Sequence, residues 1–295
     1  MRKQPPVVFV VIQLESPAPV AYIKPMRPTS LNRCCFLAAA LLLCLDVLGA
    51  EAPKLPAKEK LHLYLLIGQS NMAGRGVVDD AAKQPHPRVL KLTKENTWAP
   101  ATDPLHFDKP TIAGVGLGSS FARVMAEASP DATIGLIPCA VGGTPLSRWL
   151  KGGDLYAQAL ERAKLALKDG MLKGILWHQG EADSGSEQLA STYGERLARM
   201  VKDLRADLGA GEVPFVAGKL GEFLKREDKD GKPSLWPKVN EQIGTISKSV
   251  PHAAAVESTG LKHKGDVVHF DTPSLREFGE RYAEAMMKLQ ASAAK

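Results

Sequence analysis

Five short runs that are apolar on both faces constrain the fold of this chain more than any other feature: 61–67, 133–138, 174–178, 213–218 and 253–257. Runs of this length without polar alternation suit strands of a parallel sheet covered on both sides. Between them lie amphipathic stretches at 155–168, 192–208 and 235–249. A last helix has a start signal, Thr272 as cap with Pro273 in its first turn, and runs to about Gln290. Alternating strand and helix implies a three-layer α/β/α fold with a mostly parallel sheet. A hydrophobic content of 44% supplies the core for it. With no internal repeat and no second linker, a single domain spans 61–295, preceded by a polar linker at 53–60. Two loops stand out. The segment 77–111, rich in proline and charge, is expected to cover part of any site, and 225–232, with Asp230-Gly231, reads as an exposed turn.

The first 52 residues read differently. Arg27 and Arg33 precede an apolar run at 36–45, followed by the small residues Gly49, Ala50 and Ala52. That order is the one of a secretory signal peptide, and the apolar run is short for a membrane span. Residues 1–25 are punctuated by proline and fit neither role, whereas a start at Met26 gives conventional proportions. The expectation is therefore an exported protein, periplasmic or extracellular, with no stable membrane association after cleavage; an uncleaved anchor is the alternative. Cys34, Cys35 and Cys44 lie in this leader, which leaves Cys139 alone and without a disulfide partner. The leader holds five of the 38 Lys/Arg and three of the 32 Asp/Glu, so 53–295 carries 33 basic and 29 acidic residues. Those charges are scattered and form no basic block, which argues against a nucleic-acid surface.

The chemistry lies at the ends of the runs. Ser70 follows the first run on the turn Gly68-Gln69-Ser70-Asn71-Met72, Gly142 and Gly143 follow the second, and Gln179 and Glu181 the third. Sites in open α/β sheets form at the carboxyl ends of the strands, so these segments converge. A serine hydroxyl needs a base to become a nucleophile. Asp266-Val267-Val268-His269 offers one, with His269 as base and Asp266 fixing its tautomer. Met72 stands where the second glycine of a Gly-x-Ser-x-Gly elbow would be, so that pattern does not apply. The plain alternative for Ser70 is a helix cap. Asp271 competes as acid but suits a helix start, and His263 is a weaker base beside Lys262 and Lys264. Cys139 reads as an inert buried thiol. His178, Glu181, Asp183 and His269 lack the spacing of a metal site, so neither metal nor cofactor is expected.

Four segments occur in order: 68–74 (Gly-Gln-Ser-Asn-Met-Ala-Gly), 138–144 (Pro-Cys-Ala-Val-Gly-Gly-Thr), 177–181 (Trp-His-Gln-Gly-Glu) and Asp266-x-x-His269-Phe270. Together they resemble the SGNH-hydrolase superfamily, and within it the sialate O-acetylesterase and acetylxylan esterase branch, carbohydrate esterase family 6. The resemblance runs from about Leu61 to Leu289. It implies Ser70, Asp266 and His269 as catalytic residues. It also implies an oxyanion hole from the Ser70 amide, the Gly143 amide and the Gln179 side chain, which takes the place of the asparagine found in many of these enzymes. Gln69, Asn71, Gly142, Glu181, Arg148 and Trp149 are expected to support the site or bind substrate; for Glu181 a hydrogen-bonding role is favoured, and for Trp149 ordinary packing is an equal alternative. Trp177 is expected in the core. The implied activity is removal of O-acetyl groups from carbohydrates through an acetyl-Ser70 enzyme, with an acetylated carbohydrate as partner. A general short-chain carboxylesterase and a non-catalytic carbohydrate-binding protein are the rivals.

Overall fold

The computed structural model describes residues 53–224, 231 and 233–293. The leader, the start at Met26 and most of the 225–232 turn lie outside the described residues. No helix among the described residues is long and apolar enough to cross a membrane.

The central strand, β1 (Leu61–Gly68), buries residues on both faces, with Leu61, Leu63, Leu65 and Leu66 fully enclosed. That two-sided burial follows from its continuous apolar run, which offers no polar face to water. The remaining strands are β2 (Val89–Leu92), β3 (Trp98–Pro100), β4 (Thr133–Pro138), β5 (Met171–His178), β6 (Phe215–Gly218) and β7 (Ala253–Val256). They form one sheet in the order β3-β2-β4-β1-β5-β6-β7, parallel throughout except for β3 against β2. The chain leaves β1 to build one half, β4 included, and then crosses to β5 on the other side. Strand order reverses at β1, and the carboxyl end of β1 therefore opens into the crevice where such sheets place their sites.

Eight α-helices are described: α1 (Ser70–Ala73), α2 (Leu117–Ala128), α3 (Asp154–Ala166), α4 (Glu187–Ser191), α5 (Tyr193–Leu208), α6 (Trp236–Gly244), α7 (Ile246–Ser249) and α8 (Thr272–Ala293). Helices α3, α5 and α6 pack one apolar core against one face of the sheet, while α2 and α8 enclose a second core on the other. In α5 the buried Tyr193, Leu197, Met200, Val201 and Leu204 recur at helical spacing, so one stripe faces the sheet and the other faces water.

Three expectations change. The segment 77–111 is not loop throughout, because it contains β2 and β3. Pro100 is tolerated because β3 is an edge strand, where a missing amide donor breaks no ladder. The stretch 235–249 forms two helices that break at Thr245. The cap of α8 is Asp271, whose Oδ1 accepts from the Ser274 amide at 2.9 Å; Thr272 is the first helical residue and its hydroxyl donates to the Val77 carbonyl.

Candidate active site

The turn after β1 begins with Gly68. A Cβ there would sit 2.1 Å from the His178 carbonyl oxygen, and its φ is +134°, so only glycine lets β1 and β5 stay paired up to the turn. The Gln69 amide donates to that carbonyl at 2.8 Å. Ser70 then opens α1 as its first residue, with Gln69 at the cap position. Its hydroxyl therefore caps nothing and points to the loop before α8.

His269 Nε2 lies 3.0 Å from Ser70 Oγ, and His269 Nδ1 lies 2.7 Å from Asp266 Oδ2. A carboxylate only accepts, so Nδ1 carries the proton. In the neutral ring Nε2 is then an acceptor, and the Ser70 hydroxyl donates to it. Asp266 Oδ1 also accepts from the Val268 and His269 amides, at 3.0 and 2.8 Å. Partial burial works against ionisation of Asp266, yet the bonds from the His269 amide and ring and the Val268 amide outweigh it and hold its carboxyl down to about 2. His263 is not a competing base, since its Nδ1 accepts from the Gly265 and Val267 amides.

The depressed carboxyl carries a pH prediction. A group whose folded pKa lies below its unfolded value stabilises the fold above the unfolded value, near 3.9, and loses that contribution as pH falls towards about 2. The gap in unfolding midpoint between wild type and Asp266→Asn is therefore expected to be constant above about pH 5 and to close between pH 4 and 2. A thermal melt series over that range checks it.

The glycine turn after β4 faces Ser70. A Cβ on Gly142 would meet the Arg75 guanidinium at 2.5 Å and the Ser70 Cβ at 3.4 Å, which leaves room for glycine alone. The Gly142 amide donates to Asp108 Oδ2 at 2.7 Å, and the same oxygen accepts from Arg75 Nη2 at 2.7 Å. Burial opposes the charge on Asp108, but Arg75 and the Gly142 amide overcome it and keep the carboxyl below its usual range. With the Gly142 amide occupied, Gly143 follows at φ +79°. Neither its amide nor that of Ser70 meets a protein acceptor among the described residues. Free amide donors of this kind are what a developing oxyanion requires.

Gln179 departs from its expected place. Its side chain is fully buried, and Nε2 lies 2.7 Å from Asp183 Oδ2, 3.1 Å from the Thr144 carbonyl and 3.3 Å from Gln69 Oε1. Its Oε1 lies 3.0 Å from the Tyr193 hydroxyl. Both amide hydrogens are thus engaged within the protein, and the residue ties the 142–146 turn to the end of β5. Asp183 completes that tie by accepting from the Leu146 amide at 2.8 Å and from Arg196 at 2.9 Å.

Trp149 is likewise no pocket wall. It is buried edge-on against Trp177 at 5.6 Å and donates to the Thr144 hydroxyl, and Trp177 lies in the core as expected. Arg148 is half-buried and paired with Asp154. It borders a cavity of about 280 Å³ that reaches Phe107, Asp108 and Val141, next to the glycine turn. Cys139 lines this cavity too, and burial pushes its thiol up to about 11. Little thiolate forms at neutral pH, so iodoacetamide labelling of the folded protein at pH 7.5 is expected to run at least about 100-fold slower than labelling of the unfolded chain.

Asn71 and Glu181 join the nucleophile turn to the histidine loop. Asn71 Nδ2 donates to Glu181 Oε1 at 2.6 Å and to the Val268 carbonyl at 3.1 Å, and Asn71 Oδ1 accepts from the Phe270 amide at 3.1 Å. Arg75 and Asp108 had no functional reading in the sequence, and Asp183 was weighed there only as a metal ligand. Asp108 comes from a segment with no motif, and nothing in the residues around Arg75 announces an ion pair 33 positions away.

Comparisons with known proteins bear on the family and the fold. Residues 60–288 match the family model described as carbohydrate esterase, sialic acid-specific acetylesterase. A relative from Arabidopsis thaliana, named as a probable carbohydrate esterase, is 31% identical over 245 residues, covering 77% of this chain and 90% of the relative. The crystal structure of the Arabidopsis thaliana protein superposes with a TM-score of 0.69 at 30% identity, covering 77% of this chain and 98% of the other. NanS gives 0.64 at 18% identity, with 81% and 100% covered. A carbohydrate acetylesterase from Xanthomonas citri gives 0.61 at 24% identity, with 78% and 56% covered. At those two identities the likeness speaks for the fold alone. The family match and the Arabidopsis thaliana relative carry the assignment: the chain belongs to the family of carbohydrate esterases described as sialic acid-specific acetylesterases, and it is a carboxylic ester hydrolase.

Proposed function

We propose that this protein removes O-acetyl groups from carbohydrates by way of an acetyl-Ser70 enzyme. The observation that carries the reading is the unbroken chain Asp266–His269–Ser70 at 2.7 and 3.0 Å beside two unoccupied backbone amides. His269 takes the Ser70 proton as Oγ adds to the acetyl carbonyl. The Ser70 and Gly143 amides receive the oxyanion, and His269 returns the proton to the departing sugar oxygen. Water then attacks the acetyl-serine with His269 again as base, releasing acetate and restoring the hydroxyl. Gln179 holds the turn that presents Gly143 and is not itself a donor in this scheme. Export rests on the basic, apolar and small-residue order between Arg27 and Ala52.

Acetate release from O-acetyl sialic acid, acetylated xylan and an aryl acetate tests the substrate class. Turnover of one acetylated carbohydrate at a kcat/KM above that of the aryl ester is the expected result. Cleavage of the aryl acetate alone would reduce the reading to a general short-chain esterase.

A further inference from the structure

We propose that Asn71 and Glu181 form a positioning relay for His269, acting through the backbone on both sides of that residue and not through its ring. The inference rests on the reading of His269 as the base, and deepens it. The ring of His269 is held by Asp266, but its main chain is held from across the site. One side chain, Asn71, accepts from the amide that follows His269 and donates to the carbonyl that precedes it. A single amide group thereby fixes the plane and the height of the residue between them.

The amide can do this in one orientation only. Turned over, Oδ1 would face the Val268 carbonyl, and the NH₂ would face the Phe270 amide. Glu181 selects the working orientation. Its Oε1 takes an Asn71 hydrogen at 2.6 Å, and as an ionised carboxylate it has no hydrogen to give back. Burial works against that charge, but His178 and Asn71 outweigh it and keep the Glu181 carboxyl below its usual range. His178 is fully buried behind it, with Nε2 3.5 Å from Glu181 Oε1. The ring in turn rests on Tyr282, whose hydroxyl donates to the Trp177 carbonyl at 2.8 Å and leaves its oxygen 3.3 Å from His178 Nδ1. The relay proper is Asn71 and Glu181, and His178 packs behind Glu181 without a hydrogen bond from Nε2.

The loop needs such a hold. Val267 sits at φ +54°, a left-handed conformation that strains a β-branched residue. Only the contacts around it keep the loop there, and Asn71 supplies two of them. An isolated packing role for Glu181 would not explain why its one bonded oxygen meets the same amide that brackets His269.

Asn71→Ala, Glu181→Ala, Glu181→Gln and the double alanine variant test the proposal. They are compared by kcat and KM on an aryl acetate, by the rate of Ser70 labelling with a fluorophosphonate, and by melting temperature. Each alanine variant is expected to lose about 100-fold in kcat with KM within about threefold of wild type, the size expected of misplacement by about 1 Å. Fluorophosphonate labelling should slow in parallel. The double variant should be no worse than the poorer single one, because both act through one contact. Glu181→Gln, which can still accept from Asn71 but can also donate to it in the flipped orientation, should recover only part of the loss. Full kcat in Glu181→Ala, a loss confined to KM, or losses that multiply in the double variant would each overturn the relay. If Glu181→Ala does not fold, Asn71→Ala decides alone, and a kcat within threefold of wild type overturns it. Turnover that survives Ser70→Ala would instead overturn the parent reading, and the relay with it.

Discussion

Replacing Ser70 by alanine is expected to lower kcat/KM for any acetyl ester by about 10⁴-fold or more while leaving the melting temperature within a few degrees. The hydroxyl is within the reach of one base and bonds to nothing else, so its removal takes away the nucleophile without breaking a structural contact. His269→Ala should fall to a similar level. The double variant should be no slower than either single one, since a nucleophile and its base work as a unit and neither has a use without the other. What activity remains belongs to the two amides and to substrate binding. Steady-state kinetics on the three variants, with a melt for each, gives the answer. Losses that multiply in the double variant would mean that Ser70 and His269 act in separate steps.

Asp108→Ala is expected to cost about 3–5 kcal/mol of stability, the largest effect on folding predicted for a residue near the site. Its side chain and that of Arg75 are 1% and 2% exposed. Removing the carboxylate strands a guanidinium that is left with the Gly74 carbonyl, and deprives the Gly142 amide of its acceptor. A buried charge without its partner is far more costly than the intact pair is favourable, because the desolvation remains and the attraction is gone. The variant should also lose activity beyond its loss of fold. Gly142 N–H is then free to turn, and the peptide that presents the Gly143 amide turns with it. Urea titration gives the stability; kcat measured well below the unfolding transition separates the second effect from the first.

What could be read from the sequence, and what could not, divides along a physical line. β1, β4 and β7 were legible because strands buried on both faces write themselves as apolar runs. β5 starts three residues earlier than its run, at Met171, because Lys173 interrupts the apolar signal between Leu172 and Gly174. β2 and β3 were missed because both are short and carry Lys91 and Pro100, the second of which only the edge position of β3 tolerates. At the site, the meeting of Ser70, Asp266 and His269 was legible because a serine mechanism draws on those residue types and the last two share one loop. The role of Gln179 was not legible. Whether a buried amide faces the substrate or the interior depends on partners such as Asp183, Thr144 and Tyr193, which come from three separate places in the chain. The Arg75–Asp108 pair lay beyond sequence reasoning for the same reason. Both partners are ordinary charged residues until the fold removes them from water and sets them under Gly142.

The most direct test of the acetyl-Ser70 intermediate is partitioning. Several acetate esters with different leaving groups are hydrolysed in the presence of a fixed concentration of methanol, and the ratio of methyl acetate to acetate is measured for each. A shared acetyl-enzyme forgets its leaving group before water or methanol arrives, so the account predicts one ratio for all the esters, and no turnover in Ser70→Ala. A ratio that changes with the leaving group would show water attacking the ester directly, and would contradict it.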